Sequence, residues 1–276
     1  MGYIGALSQL GLMNRVRYLG GISGGSWATT MYTYAQDIKE EEKFLGPIVA
    51  PSDIKHEDLK AMDPACARGF ASKPLTLWCV QSWLNGTVDS ISSGWAYSVW
   101  ATYLEPVGIT QNTRFSWTQE TIDDIKARNP SLADETFLLP TNADRPYLII
   151  ATALLGPTSK APYRPVDQNY SHIEITPMYV GNMRNQEIAY KDETRYVGGV
   201  IENYAFSRKS KTSTSAGVPV KVKGLAADQQ SGTLNVPQPD SILDLAFSAG
   251  ASGYAPGALM SSIGMVFMSL MPYRYA

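Results

Sequence analysis

Ser23 lies in the part of the sequence that is best suited to catalysis, the segment GGISGGSW at residues 20–27. Gly21, Ser23 and Gly25 match the G-x-S-x-G pattern, in which a nucleophilic serine stands on a sharp turn between a strand and a helix. In such a turn the residues two before and two after the serine approach each other, so a Cβ at Gly21 or Gly25 is expected to clash. The N–H of Gly24 is expected to donate to an oxyanion, because it lies at the positive end of the following helix.

A glycine turn between a strand and a helix also has simpler uses, namely shaping the chain or binding phosphate. No Gly-Lys-Ser/Thr follows this turn, so it is not a Walker loop. The glycine spacing also differs from the dinucleotide pattern G-x-G-x-x-G. Nucleotide binding is therefore the weaker interpretation of the segment.

A serine nucleophile needs a base, and the chain has only two histidines, His56 and His172. The α/β-hydrolase order of serine, acid and histidine would make His172 the base. Its candidate acids are Asp123, Asp124, Asp134, Asp144 and Asp167. However, His172 begins a predicted strand, and His56 lies in a charged stretch. If neither serves, the base is a carboxylate or lies outside this chain.

The segments around Ser23 predict an α/β fold. Residues Val16–Leu19 predict a buried strand and Ser26–Ala35 a helix, and Tyr147–Leu155 is apolar enough for a central strand. A strand, a glycine turn and a helix in this order favour a parallel sheet. Residues 36–140 predict a largely helical insertion that caps the site.

Composition narrows the classes of partner and cofactor. The net charge is −2, which gives no electrostatic argument for nucleic acid as a partner. Two cysteines and two histidines are too few for most metal-ligand clusters, so we expect no metal and no cofactor. No apolar run approaches the roughly 20 residues of a membrane-spanning helix. The first residues do not form a recognisable signal peptide.

GGISGGSW and its lead-in MGYIGALSQLGLMNRVRYL resemble the catalytic domain of cytosolic phospholipase A2 and the fungal lysophospholipases, which are relatives of the patatin-like hydrolases. RPYLIIATAL, HIEITPMYVG, VGGVIENYAFS and LAFSAGASGYAPGAL resemble later segments of that family, in the family's order. The resemblance implies a three-layer sandwich with a central, mostly parallel sheet and a helical cap. It also implies a hydrolase of fatty-acyl esters of phospholipids or lysophospholipids, with Ser23 as its nucleophile.

The family works with a serine–aspartate dyad, and this chain lacks the family's aspartate motif, because no Asp-Gly dipeptide occurs in it. We expect the aspartate beyond Ala276 and the family's glycine-rich oxyanion loop before Met1. The 276 residues are then one partial catalytic domain that is inactive alone. Two alternatives remain, an esterase that uses His172 in a triad and a catalytically decayed, lipid-binding relative.

The resemblance suggests lipid-facing roles for two further regions. Four tryptophans and two tyrosines of the predicted cap would line an acyl channel, touch a membrane surface transiently or fill an ordinary core: Trp78, Trp83, Trp95, Trp100, Tyr97 and Tyr103. The segment Ser207–Lys223 is cationic and predicts a surface loop that meets anionic headgroups or solvent. A cytoplasmic, peripheral-membrane location is favoured, while the sequons at Asn85 and Asn169 permit secretion.

Overall fold

A computed structural model describes residues 1–38, 40–57, 63, 66, 67, 69, 75–88, 91–154, 171–190, 193–206, 218–224, 232–236 and 241–254. The α-helices in these ranges are α1 (Gly2–Gln9), α2 (Gly24–Tyr34), α3 (Glu41–Leu45), α4 (Leu75–Leu84), α5 (Ile91–Val99), α6 (Gln119–Arg128) and α7 (Leu245–Ser252). The strands are β1 (Tyr18–Ile22), β2 (Arg114–Phe115), β3 (Phe137–Leu138), β4 (Tyr147–Leu154), β5 (Ser171–Ile175), β6 (Tyr179–Tyr190), β7 (Glu193–Glu202), β8 (Val218–Lys223) and β9 (Gly232–Val236). The chain is therefore of the mixed α/β class, as expected.

The main sheet has seven strands in the order β1-β4-β5-β6-β7-β8-β9. β1 and β4 are parallel, and every other neighbouring pair in this sheet is antiparallel. The expectation of a mostly parallel sheet is thus wrong for the described strands. A short turn at residues 176–178 joins β5 to β6 where a parallel pair would need a long crossover.

The core lies on the face of the sheet that α2 covers. Leu148 and Ile150 of β4 are fully buried there, and Met31 and Tyr34 of α2 and Leu245 of α7 are also buried. Leu19 of β1 packs against this core from the neighbouring strand. The α2 helix is thereby fixed directly behind the turn that precedes it.

Residues 36–140 lie in sequence between α2, which packs on the main sheet, and β4, which is a strand of that sheet. Their described part holds α3 to α6 and a second, two-stranded parallel sheet of β2 and β3. A π-helical turn, Trp100–Leu104, continues α5. That this segment acts as a cap stays a prediction.

Local contacts determine where α7 begins and where β8 lies. Helix α7 begins at Leu245, because the buried Asp244 carboxylate caps it by accepting the Phe247 N–H. The segment Val218–Lys223 is strand β8, so this part of the expected basic loop pairs with β7 and β9. Residues 207–217, including the other cations of that loop, lie outside the described residues.

Candidate active site

Ser23 is the single residue between the end of β1 and the start of α2. Its backbone has φ 54° and ψ −135°, a conformation that residues other than glycine rarely adopt. Residues held in such regions cost about 1–3 kcal/mol and persist only when their surroundings enforce them. The turn at Ser23 is therefore as sharp as the nucleophile-elbow pattern predicts.

Gly21 is required by the close approach of α2 to β1. A methyl group at Gly21 would lie 2.6 Å from the Ser26 Cα and 2.8 Å from the Ser26 nitrogen, and it would also collide with the Thr29 hydroxyl. Backbone atoms of Ser26 cannot move aside without displacing α2. The expected clash is confirmed at this position.

Gly25 has no such constraint, so the expected clash there is wrong. A methyl group at Gly25 would meet no atom within 4 Å, and one at Gly24 would make only ordinary contact, 3.8 Å from the Trp27 ring. Gly25 lies in the first turn of α2 and faces solvent. The close approach in this turn is between Gly21 of β1 and Ser26 of α2, rather than between Gly21 and Gly25.

Hydrogen bonds hold the Ser23 backbone on both sides. Its N–H donates to the Ser252 hydroxyl at 2.9 Å, and its carbonyl accepts the Ser26 hydroxyl at 2.6 Å. The Ser26 hydroxyl is fully buried and also lies 3.3 Å from the Ala249 carbonyl. These contacts enforce the unusual Ser23 conformation from α2 and from α7.

The Ser23 side chain is exposed and does not cap α2. In the described part of the chain no protein group accepts the N–H of Gly24 or Gly25, and the first turn of α2 holds no acidic residue. These N–H groups stand at the positive end of the helix dipole. The arrangement favours negative charge next to the Ser23 hydroxyl.

No base contacts Ser23 among the residues that the structure describes. His172 lies on β5 opposite Ala153, and its Nε2 is 3.4 Å from the Glu174 carboxylate. The described candidate acids lie elsewhere, since Asp124 pairs with Arg128 and Asp123 accepts the Gln119 amide. Asp134 and Asp144 are exposed, and Asp167 lies outside the described residues. His56 is exposed as well.

The aromatic side chains of residues 95–103 pack against neighbouring elements. Trp95 and Tyr103 pack on Trp27 of α2, with ring centroids 6.0 and 5.1 Å away, and burial raises the pKa of the Tyr103 hydroxyl. The Trp100 indole donates to the Ile109 carbonyl and its ring contacts Tyr97. Through their contacts with Trp27, Trp95 and Tyr103 support α2, the helix that follows Ser23.

Helix α4 presents an apolar stripe to solvent. Val80, Trp83 and Leu84, at helical spacing i, i+3 and i+4, are 50%, 38% and 69% exposed. Cys79 and Ser82 of the same helix are buried. The Trp78 side chain lies outside the described residues. Within the described ranges, no helix has the length and apolarity needed to span a membrane.

The described residues hold no cluster of three or more His, Cys, Asp or Glu with the geometry of a metal site. Cys66 and Cys79 are both buried thiols, and burial raises the pKa of the Cys79 thiol. In the described residues, the reactive groups of the candidate site are the Ser23 hydroxyl and the backbone N–H groups of Gly24 and Gly25.

Sequence reasoning did not identify Ser252, Ser26 or Glu174 as neighbours of the candidate groups. Ser26 carries a local signal, because a serine three residues after Ser23 can reach back to its carbonyl. Glu174 carries one too, since residues i and i+2 of a strand share a face. Ser252 has no local sequence signal, because it lies 229 positions after Ser23 in the chain.

Comparison with protein-family models, curated proteins and solved structures finds no match for this chain.

Proposed function

We propose that this chain is part of a serine hydrolase that cleaves fatty-acyl esters of glycerophospholipids or lysophospholipids. The observation that carries the proposal is Ser23 itself. It has a positive φ between a parallel strand and a helix, its hydroxyl is exposed, and it does not cap the helix. The resemblance of the elbow and later segments to the phospholipase A2 and lysophospholipase family suggests the substrate class.

In the proposed reaction the Ser23 oxygen attacks the carbonyl carbon of the acyl ester, and its proton passes to the base. The carbonyl oxygen becomes an oxyanion, which the Gly24 N–H and the dipole of α2 stabilise. The carbon–oxygen bond to the glycerol then breaks, and the departing oxygen takes the proton from the base. Water hydrolyses the acyl-serine by the same steps and releases the fatty acid.

The base of this scheme is an aspartate outside these 276 residues, as the family resemblance implies. The absence of an Asp-Gly motif from the chain and of any carboxylate bonded to Ser23 in the described part is consistent with that assignment. We extend the proposal to the fold, a patatin-related three-layer sandwich. The parallel β1–β4 pair, with the elbow and α2 on it, supports this extension.

The proposed substrate sits in a lipid surface, and the α4 stripe suits transient contact with such a surface. Apolar side chains that are exposed on one helix face can enter the headgroup region of a bilayer. The described α4 residues carry no charge that would oppose this entry.

The test is labelling of the full-length protein with a fluorophosphonate, which forms a phosphonyl-serine only at an activated serine hydroxyl. Wild type and Ser52→Ala, a change at an exposed serine that bonds to Asp53, are expected to react equally. Ser23→Ala is expected to lose all labelling. Labelling that survives in Ser23→Ala would contradict the assignment, and a folded protein that never reacts would favour the decayed, lipid-binding relative.

A second candidate, an esterase with a histidine base, rests on the His172–Glu174 pair. His172 lies opposite Ala153 on β4, and Ala151 of β4 lies beside Ile22, so His172 is two strands from β1 near the same end of the sheet. His172→Ala in the same labelling experiment separates the two schemes. The substitution removes labelling if His172 is the base and leaves it nearly unchanged under the aspartate scheme.

A further inference from the structure

Helix α7 is held in place at both ends. At its start the Asp244 carboxylate caps the helix and also accepts the Asn112 N–H at 2.8 Å, which joins α7 to the segment before β2. At its end the Ser252 hydroxyl reaches the elbow. The helix therefore spans the distance between residues 36–140 and the candidate nucleophile.

The last turn of α7 fits closely against α2 and α5. The indole N–H groups of Trp27 and Trp95 donate to the Ala249 and Gly250 carbonyls at 3.0 and 3.1 Å. A methyl group at Gly250 would lie 2.9 Å from the Ala96 Cα, and one at Gly253 would lie 2.5 Å from the Trp27 ring. The position of Ser252 is thus determined by packing on both of its sides.

The Ser252 hydroxyl has one proton, and its direction follows from the contacts. The hydroxyl donates that proton to the Ala151 carbonyl at 2.6 Å. Its oxygen is then free to accept the Ser23 N–H at 2.9 Å. Since Ala151 lies beside Ile22 in the β1–β4 pair, the hydroxyl links the residue that follows β1 to the neighbouring strand.

We infer that Ser252 is a positioning residue for the nucleophile: its hydroxyl fixes the peptide between Ile22 and Ser23 and so holds Ser23 in its strained conformation. The inference rests on the proposed function, because it assigns Ser252 to the reaction of Ser23. With the Ser23 N–H committed to Ser252, the Gly24 N–H remains as the elbow's donor to the oxyanion. Ser252 itself contacts no reacting atom.

The test compares three α7 variants of the full-length protein in the fluorophosphonate reaction. A displacement of about 1 Å at a reacting group can cost about 100-fold in rate, so Ser252→Ala is expected to lower the labelling rate at saturating probe by about 10- to 100-fold. The probe concentration at half-maximal rate should stay unchanged. Ser252→Thr keeps the hydroxyl and should restore the rate.

The matched control is Ser248→Ala, which removes a buried hydroxyl one turn earlier in α7. That hydroxyl donates to the Asp244 carbonyl and does not touch the elbow. A merely structural role of the α7 hydroxyls would lower the rates of Ser252→Ala and Ser248→Ala alike, and this result would overturn the inference while leaving the proposed function intact. A wild-type protein that does not react at Ser23 would instead overturn the function, and the inference with it.

Residue-resolved hydrogen exchange gives a readout that needs no reaction. The Ser23 amide should exchange slowly in the wild type although Ser23 is exposed, and faster in Ser252→Ala but not in Ser248→Ala. If Ser252→Ala fails to fold, the wild-type measurement still decides, because an unprotected Ser23 amide would show that Ser252 does not hold it.

Discussion

The backbone conformation and the side-chain exposure of Ser23 both support the interpretation that Ser23 is a functional residue. An L-residue with φ 54° needs its surroundings to hold it, and here Ser26 and Ser252 bond to the carbonyl and the N–H of that one residue. The hydroxyl, which takes no part in this support, is left facing solvent. Backbone strain that is enforced around an exposed hydroxyl is typical of functional sites.

Gly21 and Gly25 should respond very differently to the same small substitution. Gly21→Ala is expected to lower the free energy of unfolding by about 3 kcal/mol, because the methyl group meets the Ser26 backbone and overpacking costs of this size are typical. Gly25→Ala adds a methyl group in open space and removes a flexible residue from a helix, so we expect no loss and a gain of up to about 1 kcal/mol.

Urea unfolding of the two variants checks this difference. Each glycine is the control for the other, since both lie two residues from Ser23. Equal losses of stability would mean that the residues 21 and 25 approach each other after all.

The sequence pattern predicted a sharp turn at Ser23 and a clash at Gly21, and the structure has both, because the turn is local. That Ser23 is a nucleophile stays a prediction. It was wrong about Gly25, since the pattern does not say which atoms of α2 approach β1. It did not predict Ser252, because the partner of the Ser23 N–H depends on how α7 packs after the whole chain has folded.

At the scale of elements, the exposed apolar stripe of α4 (Val80, Trp83 and Leu84) is a candidate surface for membrane contact. In Trp83→Ala/Leu84→Ala the stripe loses most of its apolar area. Since each buried methylene contributes about 0.8 kcal/mol, we expect binding to phosphatidylcholine vesicles to weaken by about tenfold or more. Cosedimentation of the full-length protein with vesicles measures this change.

The matched control for α4 is Leu10→Ala/Leu12→Ala, a change at two exposed leucines that follow α1. Vesicle binding should persist in this variant. An equal loss of binding in both variants would show that exposed apolar area in general, rather than α4, makes the contact.

The elements near Ser23 could be predicted from sequence, and the direction of the later strands could not. An apolar run predicted β4, because buried strands are continuous in hydrophobicity. The buried strand expected at Val16–Leu19 is wrong in detail, since β1 covers Tyr18–Ile22 and is mostly exposed. Polar and apolar residues alternate at 172–176, a pattern that is typical of antiparallel strands. The parallel sheet was expected from the strand, turn and helix around Ser23, which say nothing about the direction of later strands.

At the scale of the whole molecule, a cluster of charges joins α6 to the far strands of the sheet. The Arg128 guanidinium bonds to both Glu202 oxygens, at 2.7 and 3.0 Å, and to the Asp124 carboxylate at 2.8 Å. Lys221 of β8 also bonds to Asp124. Arg128 and Glu202 are mostly buried, unlike the exposed pair of Lys43 and Glu40.

Arg128→Ala is therefore expected to lower the free energy of unfolding by about 1.5–3 kcal/mol, the range of hydrogen bonds to charged groups. Lys43→Ala, at the exposed pair, should change it by less than about 0.5 kcal/mol. Chemical unfolding of both variants measures the difference. Equal effects would mean that the Arg128 cluster is screened by solvent as strongly as the surface pair.

The same cluster gives an acid-sensitive contribution to stability. Hydrogen bonds from Arg128 and Lys221 lower the pKa of the Asp124 carboxyl below its ordinary value. The contribution is therefore complete above the unfolded pKa of about 4 and is lost as the pH falls through the lower folded value. Unfolding measured across this range should show a smaller acid-side slope in Arg128→Ala than in wild type.

The contact between Ser23 and Ser252 also has a consequence for synthesis. The two residues are 229 positions apart in the chain. Because ribosomes add roughly 5–20 residues per second, Ser252 is synthesised on the order of tens of seconds after Ser23. Over that period the emerging chain holds the serine but not the helix that shapes its turn. Under the proposed function, a lipid-degrading enzyme would therefore be harmless to the membranes around it at least until α7 has been made.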